Sequence, residues 1–246
     1  MTTTVIVQAR LGSTRLPAKV LLPLPTGRTV LEEVLYRAKQ IPGVDVVVAA
    51  IPDTAENDIV EAMALRELER LNADRDRHDL VAFGSTRVHR TVRGPEHDVL
   101  ARYVKAAEAV KADVIMRITA DCPLIDPKVC GAVLALRDSQ LADYASNAWP
   151  ARSYPHGLDC EVFTRALLEL ANAHCDCGHM IDGRGTRHVE NPDREHVTPW
   201  MQRQPDLRRA HLKGLDDRSH LRWTLDTLED YTRIWGVIEE QTREAA

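Results

Sequence analysis

Basic and small residues follow directly on the first apolar run of the sequence. The run at residues 5–7 leads into a segment that contains Arg10, Gly12, Ser13, Arg15 and Lys19. Arginine forks and a lysine ammonium bind phosphate oxygens, and a glycine lets the backbone approach a ligand closely. The pattern G-x-x-x-x-G-K-[ST] of the phosphate loop is absent, because the second glycine is missing. The segment therefore predicts a phosphate site of another kind, with a solvated basic turn as the alternative.

Two aspartates end apolar runs much later in the chain. Asp121 follows the letters VIMRITA, and Asp226 follows LRWTL. One such aspartate alone most often begins a turn or caps a helix. Two of them, together with a basic loop at the end of a third run, favour a metal–phosphate site. Mg²⁺ takes one or two protein carboxylates and completes its shell with water and phosphate oxygens, so we expect Mg²⁺ here.

Short apolar runs that alternate with amphipathic stretches must position these side chains. The predicted strands cover residues 5–8, 44–50, 114–118, 144–146, 160–163 and 222–225, with a weak strand near 80–83. Helices are predicted to start at Thr29, Thr54, Asp98, Pro127 and Thr227, the first with a capping box. This alternation predicts an α/β fold with a mainly parallel sheet and helices on both faces. Ligands of such sheets bind beyond the carboxyl ends of the strands, where the basic loop and both aspartates lie.

Length, composition and charge indicate a single folded domain and argue against nucleic-acid-binding and membrane proteins. The chain has 246 residues, 44% of them apolar and 28% charged, which is typical of one folded domain over residues 1–246. A net charge of −5 argues against nucleic acid as a partner, and the apolar runs are too short for a membrane. Five cysteines without framework spacing and no signal-peptide pattern predict reduced thiols and a cytoplasmic protein.

Six motifs in the same order resemble one enzyme family. They are ARLGSTRLPAKVL, RGPEHDVLARYVKAA, ITADCPLIDP, YPHGLDCEVF, DREHVTP and LRWTLDTLEDY. Together they resemble the cytidylyltransferases that activate acidic sugars as CMP conjugates, and within that group the SpsF-type branch, named for spore-coat polysaccharide biosynthesis. The resemblance implies a Rossmann-like nucleotidyltransferase fold. It also implies a protruding segment at residues 148–200 that binds the acceptor or forms a homodimer.

The resemblance assigns roles residue by residue. The nucleotide contacts it implies are Gln8, Ala9, Arg10, Gly12, Ser13, Arg15, Lys19, Arg93 and Gly94. The acceptor contacts it implies are Asp159, Glu161, Arg194, Glu195 and His196. Asp121 and Asp226 match the two metal-binding aspartates, and they form the catalytic set together with Arg15 and Lys19. The implied reaction transfers CMP from CTP to an acidic sugar, sugar phosphate or phosphonate and releases pyrophosphate.

Three other interpretations stay open from the sequence. The D-x-D letters at residues 74–76 resemble those of glycosyltransferases that use nucleotide sugars, although no apolar strand precedes them. A binding protein that kept the fold without catalysis is a second possibility, which the intact charged residues disfavour. A set of cysteines and histidines also suggests a metal clip, although a polar loop with reduced thiols fits the C-x-C spacing better. Its members are His174, Cys175, Cys177, His179 and His188.

Overall fold

The computed structural model describes residues 1–78, 89–175, 179–181, 187–189 and 191–244, without the side chains of residues 74–78, 179–181 and 187–189. The strands are β1 (Thr3–Gln8), β2 (Val46–Pro52), β3 (Arg90–Gly94), β4 (Val114–Thr119), β5 (Tyr144–Ser146), β6 (Glu161–Thr164), β7 (His179–Ile181), β8 (Arg187–Val189) and β9 (Arg209–His211). The α-helices are α1 (Val30–Lys39), α2 (Asp58–His78), α3 (Val99–Val110), α4 (Pro127–Ser139), α5 (Arg165–His174), α6 (Pro192–His196), α7 (Pro199–Arg203) and α8 (Leu228–Glu244). The predicted weak strand at residues 80–83 lies outside the described residues.

One sheet of seven strands organises the molecule, in the order β3-β2-β1-β4-β6-β5-β9. Strands β1 to β4 are mutually parallel. β6 is antiparallel to both β4 and β5, while β9 runs parallel to β5. The predicted α/β fold with a mainly parallel sheet is confirmed. β6 comes from residues 148–200 but lies in the main sheet, and the assignment of that range to acceptor binding and dimerisation stays a prediction.

Burial on both faces explains why the central strands are continuous apolar runs. Val5 and Val7 of β1 pack with α1 and α4 on one face of the sheet. Ile6 packs on the other face against α3, in a cluster that contains Tyr103. Packing on both faces therefore fixes the positions of the carboxyl ends of β1 and β4.

None of the described helices is long and apolar enough to cross a membrane.

Several helix starts agree with the sequence. Thr29 and Glu32 form the capping box of α1, and the Asp98 side chain accepts the N–H of Ala101 at the start of α3. Thr54 was expected to cap the following helix, but its hydroxyl accepts from the Asn57 side chain instead. A 3-10 turn at Ala55–Asn57 comes first, so the cap prediction was wrong.

The prediction of a strand at residues 222–225 was also wrong. The segment is extended, but among the described residues its only strand pairing is an isolated bridge between His156 and Arg222. The N–H of Trp223 donates to the carbonyl of His156 at 2.7 Å, and the N–H of Leu225 donates to the carbonyl of Asp121 at 2.8 Å. The segment therefore bonds first to His156 and then to Asp121, and it does not pair along one strand of the sheet. Its carboxyl end nevertheless lies beside the end of β4.

Candidate active site

A cavity of about 390 Å³ opens at the carboxyl ends of β1 and β4. Eleven of the predicted site residues line it: Gln8, Ala9, Arg10, Gly12, Ser13, Arg15, Lys19, Asp121, Glu195, His196 and Asp226. Other lining residues that the sequence did not single out include Val99, Arg102 and Thr119. This is the position in which an open α/β sheet binds its ligand.

Lys19 lies at the centre of the charged wall of the cavity. Its Nζ donates to Asp121 Oδ2 at 2.6 Å, to the carbonyl of Leu225 at 2.8 Å and to Asp226 Oδ1 at 2.9 Å. All three donors of the ammonium are thus used. Burial alone would lower the pKa of Lys19, but the two carboxylates outweigh it and raise the pKa above its ordinary value. Lys19 is therefore a fixed positive charge in this state of the protein.

The chain brings the two aspartates together by backbone bonds. Asp121 follows the end of β4, and its carbonyl accepts the N–H of Leu225, the residue before Asp226. The backbone N–H of Asp226 in turn donates to Asp230 Oδ2 at 3.1 Å. Thr227 and Asp230 exchange the reciprocal bonds that begin α8, as the sequence predicts for Thr227. The start of α8 thus holds Asp226 beside Asp121.

Asp226 is surrounded by cations. Arg15 lies 2.9 Å from its Oδ1, which Lys19 also contacts, and Arg222 pairs with its Oδ2. Burial would raise the pKa of Asp226, but Lys19, Arg15 and Arg222 lower it below its ordinary value. Asp226 is consequently a carboxylate, which is the form that a metal ion binds.

The aspartate pair fits a divalent cation. Asp121 Oδ2 and Asp226 Oδ1 both lie within 2.9 Å of the same nitrogen, Lys19 Nζ, so the two oxygens face one point. Hard cations such as Mg²⁺ prefer oxygen ligands and take one or two carboxylates when phosphate oxygens supply the rest. In this structure the ammonium of Lys19 lies between the two carboxylates.

Comparison with known proteins decides the family. A model described as cytidylyltransferase matches residues 4–82. The spore coat polysaccharide biosynthesis protein SpsF of Bacillus subtilis (strain 168) is 32% identical over 242 residues, which cover 96% of this chain and 85% of SpsF. The chain belongs to the cytidylyltransferase family. The SpsF-type resemblance of its six motifs is thereby confirmed.

Solved structures agree with this cytidylyltransferase fold. A cytidylyltransferase from Leptospira borgpetersenii serovar Hardjo-bovis superposes with a TM-score of 0.78 at 28% identity, over 98% of this chain and 87% of that one. The structure of CMP:2-keto-3-deoxy-manno-octonic acid synthetase complexed with CTP superposes with a TM-score of 0.61, over 98% of this chain and 100% of that one. At 15% identity, the second likeness concerns the fold alone.

Two residues assigned to the nucleotide do not line the cavity of this cytidylyltransferase. Arg93 Nη1 lies 2.7 Å from Asp58 and 3.0 Å from Glu61, and its other nitrogens donate to backbone carbonyls. Gly94 lies against α3, where a Cβ would come within 2.8 Å of Arg102 Cγ. Gly94 thus makes room for Arg102, which does line the cavity. Direct nucleotide contacts of Arg93 and Gly94 stay predictions.

Three residues assigned to the acceptor are also engaged elsewhere. Asp159 pairs with Arg152. Glu161 lies 2.8 Å from Arg117 across the β4–β6 pair and accepts the Tyr144 hydroxyl. Arg194 is buried at 2.7 Å from Asp98, the cap of α3. None of these three residues lines the cavity, while Glu195 and His196 of α6 do, and acceptor contacts of all five stay predictions.

The suggested cysteine–histidine metal clip gains no support from the described residues. Cys177 and the side chains of His179 and His188 lie outside them. His174 stacks on Trp200 with ring centroids 5.6 Å apart, and Cys175 is a buried free thiol. Within the part of the chain that the structure describes, no group of three or more potential ligands is arranged for a metal ion.

Gly157 couples the turn at residues 155–158 to the segment that carries Asp226. Its φ of +97° disfavours other residues, and a Cβ there would lie 2.5 Å from the backbone carbon of Trp223. We expect Gly157→Ala to lower the free energy of unfolding by about 3 kcal/mol, from backbone strain and overpacking. It should also lower turnover by displacing Asp226. Urea unfolding and a pyrophosphate assay measure the two effects.

Gly236→Ala is the matched control for that substitution. Gly236 lies in α8, and apart from its chain neighbours and the backbone of its own helix no atom of the described residues lies within 4 Å of a Cβ built there. Alanine at a helical glycine stabilises a protein by roughly 0.5–1 kcal/mol, so this variant should gain stability and keep its turnover. An unfolding curve of Gly157→Ala that matches the wild type would contradict the steric argument.

Proposed function

We propose that this cytidylyltransferase transfers CMP from CTP to an acidic sugar, sugar phosphate or phosphonate and releases pyrophosphate, with Mg²⁺ held by Asp121 and Asp226. The observation that carries the proposal is the convergence of both carboxylates on Lys19 at the wall of the cavity, with Arg15 beside them. The reaction requires both of these parts, namely oxygen ligands for a metal and cations for a triphosphate. CTP as the nucleotide is further supported by the CTP complex of a protein with the same fold.

The reaction forms one bond and breaks one. An acceptor oxygen attacks the α-phosphorus of CTP in line, and the bond from that phosphorus to the bridging oxygen of the β-phosphate breaks. A bound Mg²⁺ would supply charge neutralisation at the phosphate oxygens. Arg15 and Lys19 hold the triphosphate and offset the negative charge that accumulates on departing pyrophosphate. Lys19 must leave the carboxylates to do so, which the flexible stem of a lysine permits.

The acceptor decides whether a general base is needed. A phosphate or phosphonate oxygen is already anionic and attacks without losing a proton. A hydroxyl must give up its proton, and His196 lines the cavity where such a group would enter. Glu195 lies beside it on α6 and offers a hydrogen-bond acceptor to a sugar hydroxyl. The two residues thus form the acceptor wall of the proposed site.

Pyrophosphate release tests this function. Each of the four nucleoside triphosphates is incubated with Mg²⁺ and with panels of sugar acids, sugar phosphates and phosphonates. We expect release with CTP and with one of the three acceptor classes, and the CMP conjugate identified by mass. Release with another nucleotide in place of CTP would overturn the nucleotide assignment. Consumption of a CMP- or CDP-sugar without any release would replace the proposal with glycosyl transfer.

A further inference from the structure

The two carboxylate oxygens of Asp226 face different surroundings. Oδ1 contacts Lys19 and Arg15, on the side of the cavity and of Asp121. Oδ2 accepts from Nη2 of Arg222. Because the last torsion of an aspartate has a broad energy profile, packing alone does not fix the plane of its carboxylate. The contact with Arg222 supplies that constraint.

Arg222 is itself anchored by a second carboxylate. Its Nε lies 3.7 Å from Asp230 Oδ1, and the Asp230 side chain is almost fully buried. Asp230 is immobilised because its Oδ2 accepts the backbone N–H groups of Asp226 and Thr227. Asp230 thus holds both the backbone of Asp226 and the guanidinium that holds its side chain.

We propose that Arg222 is a positioning residue that retains Oδ2 of Asp226, so that only Oδ1 faces Asp121 and the cavity. The metal role of Asp226 rests on the proposed function, whereas the arrangement of Arg222 rests on the contacts alone. With Oδ2 retained, Asp226 offers a single oxygen to a cation and leaves its other coordination positions to phosphate oxygens and water, as Mg²⁺ requires. Groups that orient metal ligands in this way strongly affect metal affinity.

The substitution Arg222→Lys separates geometry from charge. Lysine keeps the positive charge but replaces the planar fork with one compact ammonium, which cannot hold two carboxylates in the same orientation. The side chain of Arg222 is 41% exposed, so the change does not threaten the core. The matched control is Arg233→Lys. Arg233 Nη1 also contacts Asp230 Oδ1, at 3.2 Å, and has no described contact with Asp226.

Manganese titration followed by electron paramagnetic resonance, with CTP present, provides a measurement independent of turnover. We expect Arg222→Lys to raise the half-saturating Mn²⁺ concentration about tenfold and to lower kcat about tenfold. The KM for CTP should stay within about twofold, because Arg15 and Lys19 are intact. Arg233→Lys should match the wild type in all three quantities, and the melting temperatures of both variants should be similar.

The outcomes separate this inference from the function on which it rests. Equal Mn²⁺ titrations for Arg222→Lys and Arg233→Lys would overturn the positioning role. If the wild type released pyrophosphate from none of the nucleotides, the proposed function would fail. The three Mn²⁺ titrations would still decide whether Arg222 orients Asp226.

Discussion

Asp226→Asn is expected to reduce pyrophosphate release by about 10³-fold, because the amide removes one of the two charged ligands of the proposed metal site. Asparagine has the shape of aspartate and retains one carbonyl oxygen for Lys19. Arg15 and Arg222 are 63% and 41% exposed and can turn to solvent, so the fold should stay intact. Steady-state kinetics across a range of Mg²⁺ concentrations, with circular dichroism of the purified variant, measures both expectations.

Asp206→Asn is the control for that substitution. Asp206 is an exposed carboxylate that does not line the cavity. The same chemical change there should leave the rate and the Mg²⁺ dependence unaltered. Near-normal turnover of Asp226→Asn would contradict the proposed metal role of Asp226.

Lys19→Met is expected to have opposite effects on catalysis and on metal binding. Turnover should fall by about 10²–10³-fold, because the cation proposed to offset charge on pyrophosphate is lost. The nucleotide-free variant should nevertheless bind Mn²⁺ about tenfold more tightly than the wild type. Without the Lys19 ammonium, which contacts both Asp121 and Asp226, these two carboxylates repel each other. A bound divalent cation reduces that repulsion.

Thermal unfolding provides a second test of the expected tighter metal binding by Lys19→Met. Mg²⁺ should raise the melting temperature of Lys19→Met more than that of the wild type, since ligands stabilise the state that binds them. Lys128→Met is the control, because Lys128 is exposed at the start of α4 and does not line this cavity. Weaker Mn²⁺ binding by Lys19→Met would show that the lysine supports the metal and does not occupy its place.

The central part of the site was predictable because of a general property of parallel sheets. Basic residues after one apolar run and aspartates after two others must meet if all three runs end at the same edge. Arg15, Lys19, Asp121 and Asp226 do meet there. The prediction survives the wrong assignment of residues 222–225 as a strand, since the extended segment still ends beside β4.

Other features of the site and the fold could not be predicted, because they depend on which strands and helices lie side by side. Arg117 stands within the apolar run VIMRITA, but the sequence does not show that β6 lies antiparallel to β4 with Glu161 opposite it. The family resemblance assigned Glu161 to the acceptor, whereas in the structure it pairs with the partly buried Arg117. The sequence analysis missed β3 because its sequence, RTVRG, is polar. Thr91 and Arg93 contact Glu61 of α2, and local periodicity does not reveal this contact.

Arg222 was missed although a signal exists. Residues at i and i+4 of an extended segment lie on the same face, so Arg222 and Asp226 must point the same way. The strand prediction already implied this, and an arginine on the face of a proposed metal ligand is a candidate to orient it. The alternation of side-chain direction along the segment, together with residue type, therefore identifies Arg222 as a candidate.

The long reach of Lys19 has a consequence for how the protein folds. The ion pairs of its ammonium join positions separated by 102 and 207 residues. Contacts of such high order form only after the strands between them have paired, because the entropy of closing long loops must be overcome first. Residues 4–82 hold the cations of the basic loop but neither Asp121 nor Asp226. The proposed nucleotide chemistry therefore requires the completed fold, because residues 4–82 alone lack both aspartates.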